Sequence, residues 1–424
     1  MKRLNMTWIV LALAACVSER PALRPEPPAA ALDIASVSTE GPLTAVRAVQ
    51  IALAGHPEVR AELARLDAIE AERVQAGLWR NPMLGLMALR PESGGRLAIE
   101  AGWMQSLFDL FTRPRRQARA DAEARRARSE VAMRLLEFGY AAQSAFYDAV
   151  AAAARVRWLQ AELALDDEAL SLQMRWTQRG LGSRSALLDL QLMRDERVHR
   201  LHEAESDATR ARSMLAERLG LASAQLLVLP EEIEPVDAAT LALAAAQSRA
   251  LAQRPDVAAS GAAIEAIDQE RAIETGRWRL AEPELGLRLE RDAAGMAMVG
   301  PDLRIALPWF DHGQARDARF DALSREAVAR DEALRRRVVL EVERALALLA
   351  HAVQASEIAE RHRARAVEAE VLSERLYRHG GSDRMAHIAA RRALIEAERQ
   401  RLDARLALAS AQIALQRALG SGAG

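Results

Sequence analysis

The sequence predicts a mainly α-helical protein with a small β part, built from two internal repeats. Ala, Leu, Arg and Glu dominate a 424-residue chain that is 28% charged and only 4% aromatic, a composition typical of long helices and coiled coils. Short motifs recur in the same order about 200 residues apart, which indicates a duplication. In each half, segments with strand-like alternation interrupt the helical pattern.

The recurring motifs define the two repeats. They are His56-Pro57-Glu58-Val59 and Arg254-Pro255-Asp256-Val257, Trp79-Arg80 and Trp278-Arg279, Phe108-Asp109 and Phe310-Asp311, and Gly182-Ser183 and Gly381-Ser382. Because these matches lie in register, we expect repeat 1 at 43–220 and repeat 2 at 249–424. Residues 221–248, which contain Pro230 and Pro235, are expected to link the repeats at the equator of the molecule.

Each repeat contains a predicted β-hairpin, at 83–104 in the first and 284–307 in the second. In the second hairpin Leu285, Leu287 and Leu289 alternate with polar residues, which predicts a strand with one apolar and one polar face. The segments approach the roughly 9–11 residues of a transmembrane strand. Two hairpins cannot close a barrel, so other chains must complete their open edges. Two ordinary soluble hairpins remain the alternative.

Long helices follow the hairpins. Their predicted coiled-coil seams contain Val156, Leu159, Leu163 and Leu170 in the first repeat, and Val338, Val342, Ala345, Leu349 and Ala352 in the second. A helix of about 65 residues would be about 100 Å long, which no compact domain needs. Such helices are expected to pack laterally in an oligomer that encloses water. Each long helix ends at a glycine turn, and a return helix of about 35–40 residues follows.

The first residues predict export and lipidation. Lys2 and Arg3 precede a short apolar run, and Leu13-Ala14-Ala15-Cys16 follows. The run is too short to span a bilayer and is typical of an export signal. The tetrapeptide resembles a bacterial lipobox, so we expect a lipoprotein signal peptide at 1–15, lipidation of Cys16 and an extended tether at 16–42. A buried free cysteine in an uncleaved segment is the alternative.

Residue content argues against most enzyme classes. Lys2 is the only lysine, so the chain has neither a phosphate-binding Walker loop nor a lysine Schiff base in its mature form. Cys16 is the only cysteine, which excludes an intrachain disulfide and a Cys-cluster zinc site. The net charge of −1 offers no field that recruits nucleic acid. The sequence therefore predicts no catalytic constellation, no cofactor and no metal site, with His199 and His202 as exposed helix residues.

Taken in order, these residues resemble the TolC-like outer membrane factor family. The most specific motifs are Arg254-Pro255-Asp256-Val257, Leu307-Pro308-Trp309-Phe310-Asp311-His312-Gly313, Gly180-Leu181-Gly182-Ser183 with Leu187-Leu188-Asp189 and Gln191, and Ala418-Leu419-Gly420. The resemblance implies a homotrimer whose protomers each give four strands to one twelve-stranded transmembrane β-barrel, above a long coiled-coil barrel of helices. The Phe310-Asp311 pair, at the predicted transition from strand to helix, is similar to that of the heavy-metal cation efflux branch.

The resemblance also implies a function. The chain would be a lipid-anchored exit duct of the bacterial outer membrane, with its helices in the periplasm. It would conduct substrates passively while docked to a periplasmic adaptor protein and an inner-membrane pump of the RND type. It would contact outer membrane lipid and no nucleic acid. Two alternatives stay open: a structural or adaptor-type periplasmic coiled-coil lipoprotein, and the outer membrane component of type I secretion.

The resemblance places the functional residues at the helical tips. Adaptor docking is expected at Gly180, Leu181, Gly182, Ser183, Gly380, Gly381 and Ser382. Gly182 and Gly381 are expected to reverse the chain with positive φ. Candidates for a periplasmic constriction are Arg184, Asp189, Asp383 and Arg384. The alternative for these four charges is a solvated tip or ion pairs within one helix.

Overall fold

The computed structural model describes residues 42–90, 92, 96–233, 241–280, 282–307 and 309–422. The predicted signal peptide, Cys16 and all but the last residue of the tether lie outside these residues. The helices are α1 Ala45–Gly55, α2 Pro57–Ala76, α3 Asp109–Gln178, α4 Arg184–Arg218, α5 Leu243–Gln253, α6 Pro255–Leu280, α7 Gln314–Arg378 and α8 Arg384–Leu419. The strands are β1 Met83–Leu89, β2 Ala98–Ser106, β3 Glu284–Arg291 and β4 Ala297–Arg304.

This element order confirms the predicted mainly α-helical chain with two hairpins. α3 has 70 residues and α7 has 65, and the return helices α4 and α8 have 35 and 36. The short helices α1 and α5 precede the two proline motifs, and α5 begins inside the segment predicted as linker. In the part of the chain that the structure describes, no helix combines the length and the apolar character needed to cross a membrane.

The chain divides into two units, which we call the sheet unit and the helical unit. The sheet unit contains Leu63–Ala124 and Ala266–Phe320. The helical unit contains the described residues of Leu32–Glu62, together with those of Arg125–Glu265 and Asp321–Gly424.

The sheet unit contains one antiparallel sheet with the strand order β1-β2-β3-β4. The hairpins of the two repeats join through β2 and β3, where Trp103 lies opposite Leu287. β1 and β4 are therefore the two edges. β4 ends at Arg304, before the predicted end of the second hairpin at 307. The strand includes Gly300 and Pro301, which interrupt its apolar alternation. Proline is compatible with an edge strand, where its missing N–H is not needed.

The helical unit contains two apolar cores built from equivalent residues of the two repeats. Ala48, Ala52, Leu215 and Leu219 are buried in the first core, and Ala246, Ala250, Leu415 and Leu419 in the second. Members of the two sets lie about 200 residues apart. The duplication seen in the sequence is thus also present in the packing, with α1 and α5 as equivalent elements.

The predicted coiled-coil seam is right in the second repeat and displaced in the first. All five predicted seam residues of α7, from Val338 to Ala352, are buried. In α3, Val156, Leu159 and Leu163 are only partly buried, whereas Leu165 is 1% exposed. The displacement arises because the buried face of α3 also holds a carboxylate, Asp166, which a count of apolar residues assigns to solvent.

Candidate functional site: sheet faces and helical tips

The register divides the sheet into an apolar face and a polar face, because side chains alternate along each strand. The apolar face carries Leu84, Leu86, Ala88, Ile99, Ala101, Trp103, Leu285, Leu287, Leu289, Ala297, Val299, Pro301 and Leu303. Its polar residues lie at the two ends of the sheet, Gln105 at one end and Arg291 at the other. Leu84 is 79% exposed and Leu86 is 77% exposed. An exposed apolar surface spread over four strands is typical of a surface that contacts lipid or another protein.

The polar face carries every other side chain of the same strands. Its charged residues are Glu100, Glu284, Arg288, Glu290, Asp302 and Arg304. Arg288 forms ion pairs with Glu100 at 3.0 Å and with Asp302 at 2.8 Å. These charges lie on β2, β3 and β4, whereas β1 contributes the apolar Met83, Met87 and Leu89 to this face. A sheet that is apolar on one side and charged along three strands of the other matches the wall of a water-filled membrane barrel.

Aromatic residues lie where the strands meet the helices, and most of them are exposed. Trp79 is 50% exposed, Trp309 72% and Phe310 92%. Beside them, the fully buried carboxylate of Asp109 accepts a hydrogen bond of 2.8 Å from the backbone N–H of Arg80. Aromatic side chains in this position are typical of the girdle at a membrane–water interface. In the sequence these residues stand out as a repeat marker, Trp79, and as part of a family motif, Trp309 and Phe310; their position just before the first strand and just after the last one was a usable signal for a girdle.

The first tip joins α3 to α4 through residues 179–183. Gly180 has a φ of +72°, which lets the N–H groups of Leu181 and Gly182 reach back to the carbonyl of Trp176 at 2.9 and 3.1 Å. The hydroxyl of Ser183 then caps α4. A Cβ on Gly182 would lie 2.8 Å from the backbone nitrogen of Thr177.

The second tip has the same construction. Gly380 has a φ of +74°, the N–H of Gly381 donates to the carbonyl of Leu376 at 2.8 Å, and Asp383 caps α8 by accepting from the N–H of Ala386 at 2.7 Å. A Cβ on Gly381 would find its nearest neighbour at 3.5 Å. The expectation of positive φ at Gly182 and Gly381 is therefore wrong. The left-handed residue is the first glycine of each turn, Gly180 or Gly380, which lies just after the end of the helix.

The constriction candidates occupy different environments. Arg384 forms an ion pair with Glu168 of α3 and lies over the ring of Tyr377 at 4.9 Å, and the hydrogen bond with Glu168 raises the pKa of Arg384. Asp383 serves as the helix cap, while Arg184 and Asp189 are exposed. Within the described chain, no hydrogen bond or ion pair joins any two of the four. Arg384 thus pairs between helices, which neither sequence-based alternative anticipated.

A cluster of ion pairs that the sequence analysis missed connects three helices near the tips. Asp166, only 1% exposed, accepts from Arg197 of α4 at 2.9 Å and from Arg392 of α8 at 2.6 Å. Glu168 adds contacts to Arg384 and, at 3.5 Å, to Arg391. The three successive acids Asp166-Asp167-Glu168 were the available signal, because a run of like charge on a packed helix needs cations from elsewhere.

The histidines that the sequence analysis considered are surface residues of α4. His199 is 76% exposed beside Glu203, and His202 is 73% exposed beside Glu205. Among the residues that the structure describes, no group of three or more His, Cys, Asp or Glu side chains is arranged to hold a metal ion.

The fold matches solved outer membrane channels, whereas no protein-family model and no curated protein matches the sequence. The outer-membrane channel OprN shares 20% identity over 89% of this chain and 90% of that chain, with a TM-score of 0.69. The outer membrane protein VceC from Vibrio cholerae shares 17% identity over 89% and 96%, with a TM-score of 0.71. The CmeC outer membrane channel of Campylobacter jejuni shares 13% identity over 89% and 86%, with a TM-score of 0.70. The chain therefore has the fold of the TolC-like outer membrane channels, mainly helical with four strands per protomer.

Proposed function

We propose that this protein is the outer membrane exit duct of a tripartite efflux system. The observation that carries the proposal is the sheet, which has one apolar face, one charged face and two unpaired edges. A soluble hairpin pair has no need for an uncovered apolar face on all four strands. A barrel shared between protomers accounts for both faces of the sheet, since lipid covers the apolar face and water fills the interior next to the charged face.

The two edges support an oligomer. Edges β1 and β4 each present unpaired backbone N–H and C=O groups, which cannot remain unpaired in hydrocarbon. Pairing β4 of one protomer with β1 of the next removes both edges. Three protomers then give a closed twelve-stranded barrel, wide enough for a conducting lumen. In this proposal the duct is passive, and the driving force comes from the pump.

The tips are the proposed docking surface for the adaptor, which in turn binds an inner-membrane pump of the RND type. Leu181 is 79% exposed on the first turn, so an apolar contact point is available next to Gly180. Arg184 and Asp189 are exposed at the start of α4, and we propose that they contribute to a constriction. Phe310 is 92% exposed at the Phe310-Asp311 pair, the feature on which the proposed place in the heavy-metal cation efflux branch rests.

The experiment that tests the duct is a measurement of mass and conductance on the purified protein. We expect a trimer in detergent and stepwise single-channel conductance in a planar bilayer, because closing the barrel requires all three protomers. A monomer that remains in solution without detergent and opens no channels would contradict the proposal and favour a structural coiled-coil lipoprotein.

Lipidation at Cys16 is a separate prediction. In Cys16→Ser we expect the acyl label to disappear and processing after residue 15 to stop. The barrel would still hold this variant in the membrane against a urea wash, because the apolar face of the sheet remains. Equal mature masses of variant and wild type without acyl label in either would contradict the lipobox. Release of the variant by urea would contradict the barrel.

A further inference from the structure

One level of the polar face carries a single side chain. The register places Gly85, Gly102, Arg288 and Gly300 side by side across the four strands. Glycine has no side chain, so the wall at this level consists of backbone except at Arg288. In the proposed trimer, each protomer would present one arginine at the same height.

The guanidinium of Arg288 is held against the wall by partners on both sides. The glycines opposite Arg288 are Gly102 on β2 and Gly300 on β4. Glu100 precedes Gly102 by two residues, and Asp302 follows Gly300 by two residues. Their carboxylates contact the guanidinium at 3.0 and 2.8 Å, and Asp302 also contacts Arg304 at 3.3 Å. Because the partners lie on the two neighbouring strands, the side chain is directed along the sheet, over space that the glycines leave free.

The charges of the polar face do not balance. It carries four carboxylates, Glu100, Glu284, Glu290 and Asp302, but only two guanidiniums, Arg288 and Arg304. The excess is negative in each protomer and would be multiplied by three in the barrel. A ring of like charge in a narrow lumen attracts ions of opposite sign and repels those of the same sign.

We propose that Arg288, with Glu100 and Asp302, determines the charge preference and the bore of the duct within the barrel. The inference rests on the proposed function, because the polar face lines a lumen only if the sheet closes into a barrel. The acidic excess makes the duct prefer cationic solutes over anionic ones. The ion pairs hold the side chain of Arg288 against the wall at the level of Gly85, Gly102 and Gly300, so the bore stays open there.

The test is the reversal potential and single-channel conductance of purified trimers in a potassium chloride gradient. Arg288→Gln removes one positive charge per protomer, and we expect the cation-to-anion permeability ratio to rise by about twofold. In the double variant Glu100→Gln with Asp302→Asn, the acidic excess disappears and Arg288 is released. We expect the permeability ratio of this variant to fall to near unity and its conductance to decrease.

A matched control is available on the same strand. Arg291→Gln makes the same change of charge three residues further along β3, where the alternation places the side chain on the opposite face. We expect the reversal potential of this variant to equal that of the wild type.

Three outcomes would overturn the inference. Conducting Arg288→Gln trimers with an unchanged reversal potential would show that the ion pairs only stabilise strand pairing. An equal shift in Arg291→Gln would show a general surface-charge effect. If the wild-type trimer opened no channels, the duct itself would be refuted and this inference with it, so the two failures are distinguishable.

Discussion

Val299→Arg is expected to block insertion of the protein into the outer membrane. Val299 is 66% exposed on the apolar face of β4, where the proposed barrel contacts lipid. An arginine on the lipid-facing side of a barrel strand costs about 2–4 kcal/mol near the bilayer midplane, and the trimer would carry three of them. We expect the urea-resistant trimer in the outer membrane fraction to disappear.

The control is the adjacent residue. Met298→Arg introduces the same side chain on the same strand but on the polar face, opposite Glu290. We expect this variant to assemble like the wild type, because its guanidinium is in water next to carboxylates. Equal assembly of both variants would contradict the assignment of the two faces. Equal loss of both would indicate that β4 accepts no additional arginine on either face, which argues against a lumen.

The sequence predicted the position of an element correctly wherever its apolar residues repeat with a strand or helix period that no other residue interrupts. Leu285, Leu287 and Leu289 alternate without a break, and β3 is found there. The regular seam from Val338 to Ala352 is buried as predicted. The end of the second hairpin was predicted at 307, whereas β4 ends at Arg304. Pro301 and Gly300 contribute no apolar signal within this strand, although its edge position accommodates both.

Features that depend on contacts between distant segments were not predictable in the same way. Asp166 pairs with Arg197 and Arg392 from two other helices. The local run Asp166-Asp167-Glu168 indicates that cations are needed, but it does not identify which arginines supply them. The glycine turns were found, but the residue with positive φ was assigned one or two positions too late. The position of the residue with positive φ depends on where the last helical hydrogen bond forms, and the end of a helix is defined only to within one or two residues.

The tip turns are the second place where a single substitution is expected to have a large effect. Gly380→Val should abolish transport while the trimer still assembles and inserts. Gly380 has a φ of +74° and lies in open space, so the substitution creates no clash but forces valine into a conformation that L-residues rarely adopt. Backbone strain of this kind costs about 1–3 kcal/mol, and the turn can avoid it by changing shape. If the adaptor docks at this turn as proposed, docking depends on the shape of the turn, so we expect cross-linking to the adaptor to be lost.

Two control variants separate docking from backbone strain in general. Gly295 in the turn between β3 and β4 also has a positive φ, of +95°, so Gly295→Val imposes comparable strain in the sheet unit. That variant should retain adaptor cross-linking even if it weakens the hairpin. Gly381 has an ordinary φ and room for a Cβ, so Gly381→Val adds bulk to the tip with little strain, and we expect weaker cross-linking than in the wild type. Normal cross-linking in both Gly380→Val and Gly381→Val would place the adaptor elsewhere on the helices and leave the turns with a structural role only.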